Sequence, residues 1–200
     1  ARKNLAAVGV ENIDETIQEI NEANAQEKTF GSAQLFTKHH VKIISLAFFV
    51  AFFNQLSGIN FLLYYAPRIL EEAGFAKDNS LLSSISIGMM NLVFTFVGLW
   101  LIDRIGRKTL LIIGSFGYII SLSMVAYGFF MHSAPTFMLV FLLLFIAAHA
   151  IGQGAVIWVL ISEIFPTQIR AAGQAFGASI HWIFAALITL VTPVFLDSEY

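Results

Sequence analysis

The chain has 200 residues, 58% of them hydrophobic and only 12% charged, with a formal net charge of −2 and no Cys. Soluble domains carry about 25% charged residues, so the composition points to a membrane protein. It gives no argument for a nucleic-acid partner and excludes disulfides and thiolate metal sites. No cofactor or metal is expected.

Residues 1–40 form a polar segment, acidic in its middle. Asn12 followed by Glu15 resembles a capping box. Ile13, Ile17 and Ile20 then recur at helical spacing, which predicts a short amphipathic surface helix. Residues 29–37, with Gly31-Ser32, predict a loop leading to the membrane. The chain begins with Ala and ends at Tyr200 just after an apolar run, and both ends are expected to be cut.

From residue 41 onward the chain is dominated by uncharged runs: 43–67 (25 residues), 79–102 (24), 109–162 (54) and 171–196 (26). A helix crosses a bilayer with roughly 20 apolar residues. The longest run is therefore two spans, divided at His132-Ser133-Ala134-Pro135. Five spans are predicted over 43–66, 81–102, 110–131, 137–161 and 172–195, within a bundle over 41–200. Placing the N-terminal segment in the cytoplasm puts nine of the 11 Lys and Arg on that side, leaving Arg68 and Lys77 opposite, as the positive-inside bias requires.

The first span contains Asn54-Gln55-Leu56-Ser57-Gly58-Ile59-Asn60 and then Tyr64-Tyr65. Polar groups inside a span are costly because lipid offers them no partner. Uncharged amides and phenols in this density suit a polar interior that receives a neutral polyhydroxyl ligand. The alternative is that the amides only tie helices together. Ser57-Gly58 weakens the helix at its middle, where transporters break helices to line a cavity. Asn60 and Tyr64 share a face, with Gln55 only loosely aligned.

Two charged elements lie at the cytoplasmic ends: Asp103-Arg104-Ile105-Gly106-Arg107-Lys108 and Ser162-Glu163-Ile164-Phe165-Pro166-Thr167-Gln168-Ile169-Arg170. Together with the Asn54–Tyr65 stretch, in this order and spacing, they resemble the C-terminal half of the sugar porter family of the major facilitator superfamily. The resemblance covers nearly the whole chain. It implies an all-α membrane protein comprising helices 7 to 11 of a 12-helix fold, preceded by a cytoplasmic amphipathic helical segment.

The resemblance also implies functional residues. Asn54, Gln55, Asn60, Tyr64, Asn91, His149, Trp158 and His181 would bind sugar. Asp103, Arg104, Arg107, Glu163 and Arg170 would form an ion-pair network that closes the cytoplasmic side. In that network Glu163 would pair with Arg104 or Arg107, and Arg170 would reach toward the missing N-terminal six-helix half or the 1–40 segment. The alternative for these charges is an ordinary solvated loop, where exposed pairs are worth about 0–1 kcal/mol.

Three departures from the family pattern stand out. Asn54-Gln55 replaces Gln-Gln, and Gly152-Gln153-Gly154-Ala155 replaces Gly-Pro-Gly-Pro. His181 and His149 replace an amide and an aromatic residue. These histidines bond sugar hydroxyls, satisfy neighbouring helices or couple a proton; His39, His40 and His132 are expected at the membrane surfaces.

The expected function is secondary transport of a neutral hexose or pentose by alternating access, as symporter or facilitator, from a multi-pass position in the cell membrane. The expected partners are the monosaccharide, a co-transported proton and the lipid bilayer. A sugar sensor of the same fold is the alternative. An enzyme is not expected, for the sequence shows no paired intramembrane carboxylates and no nucleophile constellation.

Overall fold

The computed structural model describes residues 12–29 and 35–197, together with Arg2, Leu5 and Gly9. All regular structure among the described residues is helical. Helix α1 (Ile13–Thr29) carries Asp14 and Glu15 in its first turn, where negative charge suits the helix dipole. Asn12 Nδ2 donates to Glu15 Oε2 at 3.1 Å, a side-chain pairing in place of the reciprocal backbone bonds of a capping box. Of the loop expected over 29–37, residues 30–34 lie outside the described residues, as does Lys3.

The membrane part begins with a 3₁₀ turn, Lys38–His40, and continues as α2 (Val41–Leu56), α3 (Ile59–Glu72), α4 (Lys77–Ile105), α5 (Arg107–Phe130), α6 (Pro135–His149), a π-helical stretch (Ala150–Gly154), α7 (Val156–Ile164), a 3₁₀ turn (Thr167–Ile169) and α8 (Arg170–Asp197). Five continuous helical stretches are long and apolar enough to cross a membrane: Lys38–Glu72, Lys77–Ile105, Arg107–Phe130, Pro135–Ile164 and Thr167–Val194. Short turns alternate their directions. Gly106, at φ +88°, permits the sharp α4–α5 corner.

Two of the five crossings are composite. The first breaks between α2 and α3 at Gly58, which adopts φ +79°, a left-handed conformation open to Gly without a Cβ penalty. The Ser57 hydroxyl donates to the Asn54 carbonyl beside the break. The second composite crossing joins α6 to α7 through the π stretch, where each added residue loosens the helical ladder.

Three buried clusters hold the bundle. One joins α3, α4, α5 and α6 through Leu62, Leu70, Ile87, Val125, Leu142 and Phe145. The second joins α2, α7 and α8 through Ala47, Ala51, Ile157 and Ile161 with Phe176 and Ile180 of α8 packed on them, and the third joins α4, α5 and α7 through Ile102, Leu110 and Val156. In lipid, where apolar burial drives little association, close backbone approach contributes strongly. Gly114 on α5 faces Gly152 in the π stretch so closely that a Cβ on Gly114 would sit 2.6 Å from the Gly152 Cα and 2.8 Å from the Ala148 carbonyl oxygen.

That contact gives a clear expectation. Gly114→Ala forces the helices apart and lowers stability by about 1–3 kcal/mol, read as a lower thermal midpoint of the detergent-solubilised protein. Gly88→Ala, where a Cβ meets nothing within 4 Å, leaves the midpoint unchanged or raised. Equal behaviour of the two variants would remove the close-packing account.

Candidate functional site

The break at Gly58 assembles the polar cluster. Gln55 ends α2 and Asn60 begins α3, and the turn between them brings Asn60 Nδ2 to donate to Gln55 Oε1 at 2.8 Å. A five-residue separation on an unbroken helix does not put two side chains on one face. The loose alignment expected from the sequence is therefore replaced by a direct bond. Gln55 Nε2 in turn lies 2.8 Å from His181 Nε2 and 3.0 Å from His181 Nδ1 on α8. It also donates to Asn54 Oδ1 at 3.3 Å.

The aromatic side of the cluster comes from α7 and α8. The Trp158 and His181 rings lie 4.7 Å apart between centroids, and Trp182 packs edge-on against the same imidazole at 5.2 Å. Trp158 keeps 39% of its surface exposed while Gln55 and His181 are buried, so the indole presents a face beside the amides. An indole offers both an apolar surface and an N–H donor.

His149 closes α6 against the rings of Phe145 and Tyr118, at 6.0 and 6.3 Å. It is 4% exposed, and its Nε2 has no hydrogen-bond partner; Asn54 is 2% exposed, and its Nδ2 has none either. A buried polar atom left unpaired costs about 1–3 kcal/mol, so these two atoms mark where a further polar group is wanted.

Two expected site residues stand apart. Tyr64 is 62% exposed one turn beyond Asn60. Asn91, half-buried on α4, has no side-chain bond to the cluster among the described residues; its carbonyl accepts from Thr95. The sequence suggests Tyr64 and Tyr65 as one pair facing the interior, but the backbone kinks at Tyr65 (φ −108°, ψ 16°) ahead of Pro67, whose ring disrupts the preceding turn. Tyr65 instead donates its hydroxyl to the Thr189 carbonyl at 3.2 Å, bracing α3 against α8. The sequence carried no sign of this bond. It also gave none for Gln153, which donates to Ser115 Oγ at 3.0 Å from the π stretch.

The charged elements meet at the end of the bundle where α5 and α8 begin. Arg107 contacts Glu163 at 2.9 Å and Asp103 at 3.3 Å. Arg104 does not reach Glu163: its guanidinium lies 3.9 Å over the Trp100 ring, four residues back on α4, where cation–π attraction competes with an exposed ion pair. Arg170 does not reach another segment through its Nε, which donates to the Phe165 carbonyl at 3.4 Å and caps the end of α7.

Comparison with known proteins gives the context. The family model for "Sugar (and other) transporter" matches residues 1–200. This chain belongs to that family. The sugar transporter chain is 35% identical over 179 residues to the glucose facilitated diffusion protein of Zymomonas mobilis, covering 90% of itself and 38% of that protein. It is 33% identical over 181 residues to the D-xylose-proton symporter of Escherichia coli K12, covering 90% of itself and 36% of the relative.

Among solved structures, the proton:xylose symporter XylE of the major facilitator superfamily, bound to 6-bromo-6-deoxy-D-glucose, superposes with a TM-score of 0.77 at 33% identity, over 92% of this chain and 38% of that one. The chain thus spans under two fifths of the length of these relatives. The fold is the all-α major facilitator fold, multi-pass in a membrane, in a family of transport proteins rather than enzymes.

The Arg107 geometry is testable by double-mutant cycles on thermal stability. Arg107→Ala and Glu163→Ala couple by about 0.2–1 kcal/mol, as a half-exposed pair should. Arg104→Ala and Glu163→Ala are additive. Coupling to Arg104 of the same size would overturn the pairing.

Proposed function

We propose that the protein carries a neutral monosaccharide, a hexose or pentose, across the membrane by alternating access, and that Asn54, Gln55, Asn60, His149, Trp158 and His181 line its sugar site. The observation that carries the proposal is the pair of unpartnered buried atoms, Asn54 Nδ2 and His149 Nε2, in a bundle that also holds the Asn60–Gln55–His181 polar chain and an indole packed on His181. A hydroxyl donates and accepts at once. A polyhydroxyl ligand can therefore satisfy both atoms without introducing charge. The relatives named above are described as transporting xylose or glucose, which supports the sugar class; the sensor alternative gains nothing from them.

On this reading the five spans are helices 7 to 11, one wall of a cavity faced by a second six-helix half. Tyr64, exposed on the Asn60 face, and Asn91 complete the wall when the opposite half and the sugar are in place. The basic end of the bundle is cytoplasmic, which the clustering of Arg104, Arg107, Lys108 and Arg170 there supports. The Asp103–Arg107–Glu163 ion pairs and the Arg170 cap make that end a gate. Exposed pairs of this kind are weak singly, as a gate that must open requires. A proton accompanies the sugar or it does not: one relative is a symporter and another a facilitator.

In proteoliposomes holding the full-length protein, Gln55→Ala and Trp158→Ala each lower radiolabelled D-xylose or D-glucose uptake by about tenfold or more, the size of a lost buried hydrogen bond or stacking surface. Uptake unchanged by both, with the protein folded, removes the site assignment. A protonophore abolishes accumulation by a symporter and leaves facilitated uptake untouched.

A further inference from the structure

We propose that His181 is a positioning residue: as a hydrogen-bond acceptor it sets the direction of the Asn60–Gln55 amide chain, and its protonation reverses that chain. The inference rests on the sugar reading above and concerns regulation of that same site.

The polarity follows from the bonds. Asn60 Nδ2 donates to Gln55 Oε1 at 2.8 Å, which leaves Gln55 Nε2 to point away from Asn60. That nitrogen only donates, and it meets His181 at 2.8 and 3.0 Å and Asn54 Oδ1 at 3.3 Å. A neutral imidazole has one nitrogen able to accept, and an imidazolium has none. Donors therefore run from Asn60 through Gln55 to a neutral His181. A protonated ring would face Gln55 donor to donor. Relief comes from turning the Gln55 amide so that Oε1 faces the ring, and then Asn60 must turn as well to offer Oδ1 to Gln55 Nε2. At the Asn60 end the group left for a sugar changes from the acceptor Oδ1 to the donor Nδ2, while the second ring N–H of His181 donates in both states.

The imidazole cannot escape by swinging aside. His181 is 9% exposed, with indoles of Trp158 and Trp182 packed on it. Nor is another charge at hand to answer it. Of the elements packed against α8, α2 carries Lys42 at its start, following His39 and His40. Helix α3 carries Arg68, Glu71 and Glu72 in its last turns, an exposed Tyr64, and Tyr65, whose hydroxyl is committed to Thr189. Helix α7 carries Glu163, paired with Arg107, and the 3₁₀ turn at 167–169 carries no charge. Helix α8 itself has Arg170 and Asp197 at its two ends. A second buried imidazole, His149, ends α6 against Phe145 and Tyr118.

The test uses the full-length protein in nanodiscs with ¹⁵N-labelled glutamine, the Gln55 side-chain amide being assigned by its loss in Gln55→Leu. Between about pH 8 and pH 4, which covers the range in which a buried histidine changes charge, the wild-type Gln55 amide resonance moves. D-xylose or D-glucose affinity, measured without a pH gradient, falls by about fivefold or more over the same range. His181→Gln keeps an acceptor that does not titrate, so it holds the Gln55 resonance still and its sugar affinity, whatever its level, is flat with pH. His181→Leu weakens binding at every pH.

A Gln55 resonance that is flat in wild type, or one that still moves in His181→Gln, overturns the proposal. A Gln55 shift that depends on His181 in a protein that binds neither sugar supports the amide switch and overturns the sugar reading alone.

Discussion

The hydrogen bond between Gln55 and His181 is the constraint around which this half-bundle is organised. An amide at the middle of a membrane crossing has no water to turn to, so another polar side chain must meet it. Here the partner comes from α8, 126 positions along the chain. That one requirement ties α2 to α8 across the interior. The break at Gly58 follows the same logic. It swings the start of α3 so that Asn60 meets Gln55, and it opens the helix where the polar side chains collect. Remove the break and Asn60 turns to another face, leaving Gln55 Oε1 without a donor.

Much of this order was legible in the sequence because the bilayer enforces it. Uncharged runs separated by short basic loops leave little freedom in the number of crossings, and each of the five helical stretches overlaps one expected span, two of them ending one residue short of it. Ser57-Gly58 marked the first break by composition. What remained hidden depended on rotation and on competition between partners. A kink at Tyr65 sends its hydroxyl to Thr189 while Tyr64 turns outward, and helical periodicity through Pro67 does not reveal it. Either of two arginines satisfied the spacing to Glu163. The choice of Arg107 depends on Trp100 lying one turn before Arg104, where the indole captures the guanidinium. The π stretch at 150–154 follows from backbone packing of Gly152 against Gly114, which no local signal in α6 or α7 reports.

Three residues that depart from the pattern the sequence resembles are buried, while Gly152-Gln153-Gly154-Ala155 departs from it in and beside the π stretch. Asn54 has a shorter side chain than Gln, His181 replaces an amide, and His149 replaces an aromatic ring. Asn54 and His181 both meet Gln55, His149 is buried against Phe145 and Tyr118, and Asn54 and His149 each leave a buried nitrogen without a partner. These substitutions act together: an imidazole at 181 accepts from Gln55, Asn54 accepts from the same nitrogen, and the orphaned Asn54 Nδ2 is the consequence. In the proposed site, discrimination among sugars then depends on which hydroxyl reaches that donor. A site built to bond a hydroxyl rejects a ligand lacking it far more strongly than it rejects an added methylene.

The proposed site and the proposed gate also share their supports. Trp158 and Glu163 lie five residues apart on α7, about 7.5 Å along a helix, and His181 and Arg170 lie on α8. A rigid helix cannot shift its indole relative to the amides without moving its carboxylate relative to Arg107. Above Trp158 the chain passes into the π stretch, where Gly152 is held against Gly114 at backbone contact. The loosened ladder of the π stretch thus stands between that held contact and the part of α7 that carries Trp158 and Glu163. Gln153, bonded to Ser115 from within the stretch, fastens it to α5 a second time, so the position of the indole and of the carboxylate is set by a contact that neither of them makes.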